Sequence, residues 1–130
     1  MHQACPSADI SGYEINPLAA NIAGIRAYAS DSNIYVKTCD VFDLPGEDVH
    51  FDKIFSNYPF GMNLRQLGTG QRYLEQIAYN VPTIRKATSS DWVFNCLIMD
   101  LLNHDGRAVA IMTNGSTWNT IQAAFTSSRL

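Results

Sequence analysis

The sequence predicts an α/β protein built on an open, parallel sheet, and three observations lead to that fold class. Short segments rich in β-branched and aromatic residues alternate with longer segments of helical periodicity, which is the order of strand–helix–strand units. Residues 107–113 are apolar without alternation, as expected of a strand that helices cover on both faces. With 130 residues, 46% of them hydrophobic and 16% charged, the chain suits one hydrophobic core. We therefore expect a single domain over residues 1–130.

The first predicted elements are a strand over residues 8–15 and a helix that runs to about Ala29. Asn16 is a favourable N-cap residue. Pro17 at the first helical position sacrifices no hydrogen bond, because the first N–H groups of a helix have no partner within it. Spacings of three and four residues place one set of apolar side chains on a single stripe of this helix: Leu18, Ile22, Ile25 and Ala29.

The middle of the chain predicts two more strands and then loses its regularity. Residues 34–39 and 51–56 are short, β-branched and aromatic, and Pro45-Gly46 between them is typical of a turn. Glycines and a proline interrupt residues 61–90, so no element is predicted there with a defined boundary.

The last third of the chain predicts a helix, a strand and a helix. The first helix covers residues 91–103, is capped by Ser90 or Asp91, and carries apolar residues spaced as a buried face: Phe94, Leu97, Ile98, Leu101 and Leu102. The strand over residues 107–113 follows. A final helix begins near Ser116, and three of its residues are expected to be buried: Trp118, Ile121 and Phe125.

The composition argues against several classes of protein. Twelve acids and nine bases give a net charge of −3, which does not fit a stand-alone binder of polyanions. No apolar stretch approaches the roughly 18 residues that cross a membrane, so we expect no membrane anchoring. A reducing cytoplasm and no bound metal are expected, because neither set of candidate ligands has a disulfide or metal-site spacing: Cys5, Cys39 and Cys96; His2, His50 and His104.

The most specific motif is S-N-Y-P-F-G at residues 56–61, at the carboxyl end of a predicted strand, where open α/β sheets bind their ligands. The carboxamide oxygen of Asn57 and a nearby backbone carbonyl can accept hydrogen bonds from one exocyclic amine, and Phe60 offers a face on which a base can stack. Acceptors that draw the amine hydrogens toward a tetrahedral arrangement raise the nucleophilicity of the nitrogen. The motif therefore suits methylation of adenine. The plainer alternative is a polar turn with one buried Phe.

Two acidic residues close the strands that precede this motif. Glu14 ends the first strand, where a carboxylate can accept both hydroxyls of a ribose. Asp40 ends the second, where a carboxylate can accept from the amino group of a nucleoside's adenine. Either residue taken alone also fits an ordinary solvated carboxylate. Their order on successive strand ends favours a nucleoside-binding edge of the sheet.

Four segments together resemble the modification subunit of type I restriction-modification systems, a family of adenine-specific DNA methyltransferases that use S-adenosylmethionine. They are G-Y-E-I-N-P at residues 12–17, C-D-V-F at residues 39–42, F-D-K-I with N-Y-P-F-G within residues 51–61, and D-G-R to N-G within residues 105–115. The resemblance covers residues 10–115.

The resemblance implies roles for individual residues. Glu14 matches the residue that binds the cofactor ribose, and Asp40 the one that contacts its adenine, with Val41 in the same cofactor-binding segment. The catalytic residues that hold the target adenine are then Asn57, Pro59 and Phe60. The implied partners are double-stranded DNA and the specificity and restriction subunits of the complex.

The resemblance also implies a Rossmann-like α/β methyltransferase sheet that is incomplete here. The family's glycine-rich cofactor loop, with its first strand, belongs upstream of Glu14 and is missing, as are the last strands. We therefore expect a truncated core that is inactive alone and binds S-adenosylmethionine only in the full-length protein. In the motif, Tyr58 stands where the family usually has proline; related methyltransferases of ribosomal RNA carry leucine there.

A basic stretch follows the motif, since residues 61–90 carry four bases and one acid, a net charge of +3. These bases are candidate contacts to nucleic-acid phosphates, although an ordinary solvated surface remains the alternative: Arg65, Arg72, Arg85 and Lys86. Two further functions also stay open. An Asn-x-Pro-aromatic motif serves methyltransferases of RNA and of protein glutamine, and a degenerate fold kept for subunit assembly would not be catalytic.

Overall fold

A computed structural model of the chain describes residues 7–30, 33–86 and 89–113. The chain divides into two compact units, Met1–Asp43 and Leu44–Leu130, and each unit contains one pair of parallel strands. Mixed helices and parallel strands confirm the predicted α/β class. The single catalytic domain over residues 1–130 stays a prediction.

The first unit is a strand–helix–strand motif. Its elements are β1 (Ile10–Glu14), α1 (Pro17–Ala29) and β2 (Ile34–Thr38). The two strands run in parallel, with Ile10 opposite Ile34 and Glu14 opposite Thr38. All three elements were predicted within one or two residues of their observed bounds.

The start of α1 is fixed by the predicted cap. The Asn16 side-chain oxygen accepts hydrogen bonds from the backbone N–H groups of Leu18 and Ala19, at 2.9 and 3.2 Å. Pro17 occupies the first helical position. Two N–H groups that lack helical partners are thereby satisfied, as the sequence predicted.

The apolar stripe predicted along α1 does not form the buried face of this helix. Ala20 and Ala27 are its buried residues, with 4% and 6% of their surface exposed. Small side chains at these positions let the helix lie close to the strands it packs against. The larger residues of the stripe are about half to two-thirds exposed within the described structure: Leu18, Ile22 and Ile25. Ala29 is also exposed.

The second unit alternates helices with a second parallel pair. Its regular elements are β3 (Phe51–Ser56), α2 (Gly70–Asn80), α3 (Asp91–Asp100) and β4 (Leu102–Ala110). Short 3-10 helices connect them or lead into them: Val41–Glu47, Leu64–Gln66 and Pro82–Lys86. The strand predicted over residues 51–56 is confirmed. The stretch of residues 61–90, which has no regular pattern, contains a complete α-helix.

The boundary between α3 and β4 differs from the prediction. The helix ends at Asp100 and the strand begins at Leu102, whereas the sequence predicted the helix to continue to residue 103. Leu102 pairs with Phe51, and Arg107 pairs with Lys53 after a shift in register. Pairing with β3 therefore claims the residues that helical periodicity had assigned to α3.

The core of the second unit lies around α3. Five residues of this helix are buried apolar side chains, and three of them were predicted: Val93, Phe94, Cys96, Leu97 and Ile98. Ile84 and Leu44 are also almost completely buried. One face of the β3–β4 pair is open among the described residues, because Phe55 and its partner Val109 are each 62% exposed. The predicted cover on both faces is therefore not observed.

The helix predicted from Ser116 lies outside the described residues, as do Cys5 and His2. Within residues 7–30, 33–86 and 89–113, the longest stretch of helix is too short and too polar to cross a lipid bilayer.

Candidate active site

The predicted motif leaves the carboxyl end of β3, as the sequence indicated. Ser56 is the last residue of this strand and lies opposite Ala110 of β4. Its carbonyl also accepts a hydrogen bond from the N–H of Ile111, at 2.9 Å, which extends the pairing beyond the strand. The next five residues, 57–61, are called the motif segment below. They begin where two parallel strands end, the place at which α/β sheets bind ligands.

Side chains of the motif segment alternate between solvent and core. Asn57, Pro59 and Phe60 are exposed, with Phe60 at 47%, whereas Tyr58 is only 5% exposed. A turn with a buried Phe, the plainer alternative from the sequence, is therefore not what forms. The aromatic residue that enters the core is Tyr58, and the two residues predicted to touch an adenine remain accessible.

Tyr58 is anchored to α3 by its ring and by its hydroxyl. The ring stacks on Phe94 with 4.9 Å between centroids and 6° between planes, and it meets Phe60 edge-on at 6.3 Å. The hydroxyl donates a hydrogen bond to the Asn95 side-chain oxygen at 3.1 Å. Burial raises the pKa of Tyr58 above its ordinary value of 10.0, and the nearby carboxylate of Asp91 raises it further. The hydroxyl is therefore neutral at physiological pH.

Asp91 binds the other end of the motif segment. It is the first residue of α3 and 2% exposed. Its Oδ1 accepts a hydrogen bond from the Gly61 N–H at 3.1 Å, and its Oδ2 accepts one from the Thr113 hydroxyl at 3.2 Å. A carboxylate in the first turn of a helix is also favoured by the helix dipole. These contacts allow an acidic side chain to stay buried.

The predicted cap of α3 is correct in position and wrong in mechanism. Ser90 occupies the N-cap position, but its side chain makes no capping hydrogen bond. The backbone N–H of Ser90 donates instead to the Met62 carbonyl at 2.8 Å. The carboxylate of Asp91 is directed to Gly61. Both residues thus serve the chain that follows the motif segment.

The two predicted cofactor carboxylates lie at the same end of the first unit's strand pair. Glu14 ends β1, and its Oε1 accepts a hydrogen bond from the Asn16 N–H at 2.8 Å. Asp40 follows β2, and its Oδ1 accepts one from the Phe42 N–H at 3.1 Å. Both are partly buried, as is Val41. Because β1 and β2 are parallel, these side chains share one edge, which suits a nucleoside whose ribose and base are bound by neighbouring strands.

The basic residues of the second unit lie on defined elements. Arg65 is in the 3-10 helix Leu64–Gln66, Arg72 is in α2, and Arg85 and Lys86 end the 3-10 helix Pro82–Lys86. Arg65, Arg72, Arg85 and Lys86 are all exposed. Arg85 forms an ion pair with Glu75 of α2, so its charge already has a partner. The expectation that these bases lack a rigid support is wrong for Arg72, which an α-helix holds. Contact with phosphates stays a prediction.

Sequence reasoning missed Asp91 and Asn95 as neighbours of the motif. Asp91 was interpreted as a helix cap. Asn95 gave one signal that could have identified it, because it is a polar residue between Phe94 and Cys96 on a strongly apolar helix. Among the described residues, no cluster of three or more His, Cys, Asp or Glu side chains could hold a metal ion.

These features define a class of protein: an α/β enzyme whose strand ends present carboxylates and an Asn-x-Pro-Phe segment, as methyltransferases of amines do. A family model for N-6 DNA methylases matches residues 2–124, and the chain belongs to that family. It is therefore a DNA methyltransferase by family, and the resemblance to adenine methyltransferases is confirmed. Comparison with curated proteins and with solved structures gave no match.

Proposed function

We propose that the chain is the catalytic core of a modification subunit of a type I restriction-modification system. The reaction is transfer of a methyl group from S-adenosylmethionine to the exocyclic amine of adenine in double-stranded DNA. The observation that carries this proposal is the motif segment at the end of β3. Asn57 and Phe60 are accessible there while Tyr58 anchors the backbone between them.

The chemistry of the target base is what the accessible residues serve. The Asn57 carboxamide oxygen accepts a hydrogen bond from the adenine amine, and the Phe60 ring stacks on the base. As the nitrogen forms its bond to the methyl carbon, the sulfonium–methyl bond breaks and its electron pair leaves with sulfur. The nitrogen then releases one proton to solvent. Orientation of the nitrogen lone pair and electrostatic stabilisation supply the rate enhancement.

The first unit supplies the residues for the cofactor. S-adenosylmethionine supplies an activated methyl group when bound. Glu14 keeps its Oε2 without a hydrogen-bond donor among the described residues, as a carboxylate that accepts a ribose hydroxyl must. Asp40 and Val41 lie at the start of the connection that follows β2, where they fit an adenine ring. The donor set is thus compatible with an adenine nucleoside.

The proposal is tested by product analysis with the full-length enzyme. Duplex DNA, RNA of the same sequence and a glutamine-containing peptide are each incubated with methyl-labelled S-adenosylmethionine, and digested products are identified by mass spectrometry. We expect N6-methyladenine from DNA. Label in RNA or in glutamine instead would assign the enzyme to one of the two alternative substrate classes, and no label in any substrate would favour a non-catalytic module.

The site assignment has its own test. Asn57→Ala removes an acceptor for the amine and Phe60→Ala removes the stacking face, so each should lower turnover by on the order of a hundredfold. Cofactor affinity should change little. Asn80→Ala is the matched control, because Asn80 is an exposed asparagine at the end of α2 in the same unit. Turnover of Asn57→Ala and Phe60→Ala within a fewfold of the control would reject the site.

The type I assignment is tested by co-expression with neighbouring genes. We expect them to encode a specificity subunit and a restriction subunit, and the three products to purify as one complex that methylates a defined sequence. A neighbourhood without a specificity subunit, with full activity of the single protein, would assign the chain to a solitary methyltransferase.

A further inference from the structure

Two hydrogen bonds attach the motif segment to one helix, on either side of Pro59 and Phe60. Tyr58 precedes them and is bound by Asn95 at 3.1 Å, and Gly61 follows them and is bound by Asp91 at 3.1 Å. Asp91 and Asn95 are four residues apart, so they lie one above the other on the same face of α3. The exposed part of the motif is therefore held at both ends by a single element.

The helix that makes these contacts has little freedom to move. Val93 and Cys96 are 0% and 2% exposed, and Phe94 stacks on the Tyr58 ring. Interiors packed to this degree transmit displacement instead of absorbing it. A buried carboxylate that accepts a backbone N–H makes a strong, short-range hydrogen bond. The position of α3 therefore fixes the position of the motif segment.

Gly61 is the point at which the segment changes direction. Its φ is 61°, in the left-handed region that glycine adopts without strain. A residue with this freedom does not hold a conformation by itself. The hydrogen bond from its N–H to Asp91 selects one orientation of the turn and thereby limits where the preceding Phe60 ring can lie.

We propose that Asp91 and Asn95 are positioning residues for methyl transfer, acting through Gly61 and Tyr58 to hold Asn57 and Phe60 at the target base. Neither touches the substrate. The inference rests on the proposed function, in which Asn57 and Phe60 bind adenine. Misplacement of reacting groups by about 1 Å can cost about a hundredfold in rate, so removal of one anchor should lower turnover while the catalytic groups themselves are retained.

The first experiment compares two buried tyrosines that donate to the same helix. Tyr58→Phe keeps the ring on Phe94 and deletes the bond to Asn95. Tyr73→Phe is the matched control, because Tyr73 is also 5% exposed and its hydroxyl donates to Asp100 at the far end of α3, at 2.5 Å. We expect similar decreases in Tm for both variants but a tenfold or greater fall in kcat only for Tyr58→Phe.

A double substitution separates positioning from simple stability. If Tyr58 acts through Asn95, then Tyr58→Phe combined with Asn95→Ala should lower kcat no further than the stronger single variant. The KM for S-adenosylmethionine should stay within about twofold in all of them. Equal kcat for Tyr58→Phe and Tyr73→Phe would overturn the role of this hydrogen bond, as would additive effects in the double variant.

The hydrogen bond to Gly61 is tested by substitution of its acceptor and by a readout other than activity. Asp91→Asn keeps one acceptor oxygen for the Gly61 N–H, whereas Asp91→Ala keeps none. Turnover should therefore fall more for Asp91→Ala, and deuterium uptake by the peptide spanning residues 57–63 should quicken in the same order. Unchanged uptake in Asp91→Ala would overturn the anchor. A wild-type enzyme that methylates no adenine would instead contradict the proposed function, while the uptake measurement still decides whether Asp91 orders the segment.

Discussion

Gly106 marks a place where β3 and β4 approach so closely that no side chain fits. A Cβ atom at this position would lie 2.8 Å from Leu102 Cδ2, 2.9 Å from the Asn103 carbonyl oxygen and 3.1 Å from the Phe51 carbonyl oxygen. Two of these neighbours are backbone atoms of the paired strands, so they cannot move without disturbing the ladder. Gly106→Ala should therefore destabilise the protein by about 2 kcal/mol, the usual cost of overpacking.

Thermal unfolding followed by circular dichroism measures this effect. A decrease of about 2 kcal/mol in the free energy of unfolding lowers Tm by roughly 7 °C for a chain of this length. Gly46→Ala is the control within the same unit, because a Cβ there meets nothing within 4 Å and the residue has no positive φ. We expect it to keep or slightly raise Tm, since alanine restricts the unfolded chain. A Gly106→Ala variant as stable as Gly46→Ala would refute the close approach of the two strands.

Three further outcomes are expected. The raised pKa of Tyr58 contributes stability that is complete below pH 10.0 and is lost as pH rises through the higher folded-state pKa, because the unfolded chain releases its proton first; Tyr58→Phe should flatten the fall of Tm from about pH 9 to 11, and parallel curves would exclude Tyr58 as the source. Asp40→Ala should weaken S-adenosylmethionine binding roughly tenfold by calorimetry while turnover at saturation is kept, and an unchanged Kd would remove Asp40 from the cofactor site. Alanine at all four bases should weaken binding to cognate and non-cognate duplexes alike and reduce the salt slope by roughly one for each phosphate that is no longer bound, with the smallest share from the residue already paired with Glu75, whereas a changed methylation sequence would indicate base reading: Arg65, Arg72, Lys86 and Arg85.

Local chemistry made the start of α1 predictable, whereas packing decided which of its faces is buried. Asn16 and Pro17 act on their own neighbours, so the sequence contains the whole of their effect. Burial depends on what lies opposite, and the close fit at Ala20 and Ala27 outweighed the larger apolar stripe. The end of α3 was decided in the same way, because pairing of Leu102 with Phe51 joins residues far apart in the chain.

The candidate site was predictable where one segment carries it and not where two segments meet. The position of Asn57, Pro59 and Phe60 at a strand end follows from the residues on either side of them. The anchors on α3 lie about thirty or more positions along the chain from the groups they bind, and only the folded structure brings them together. Helix α2 was missed for another reason: glycines precede it, and its buried residues have no long apolar run around them.

The width of the strand pairs has a practical consequence for handling the protein. Both sheets of the described structure have two strands, so every strand has an edge able to pair with another molecule. Lys53 and Arg107 lie opposite each other on the β3–β4 pair, and two like charges there repel a second copy that approaches the same face. Salt screens this repulsion over a Debye length of about 10 Å at 0.1 M. Self-association should therefore increase with ionic strength, so light scattering at low and high salt guides the choice of storage buffer.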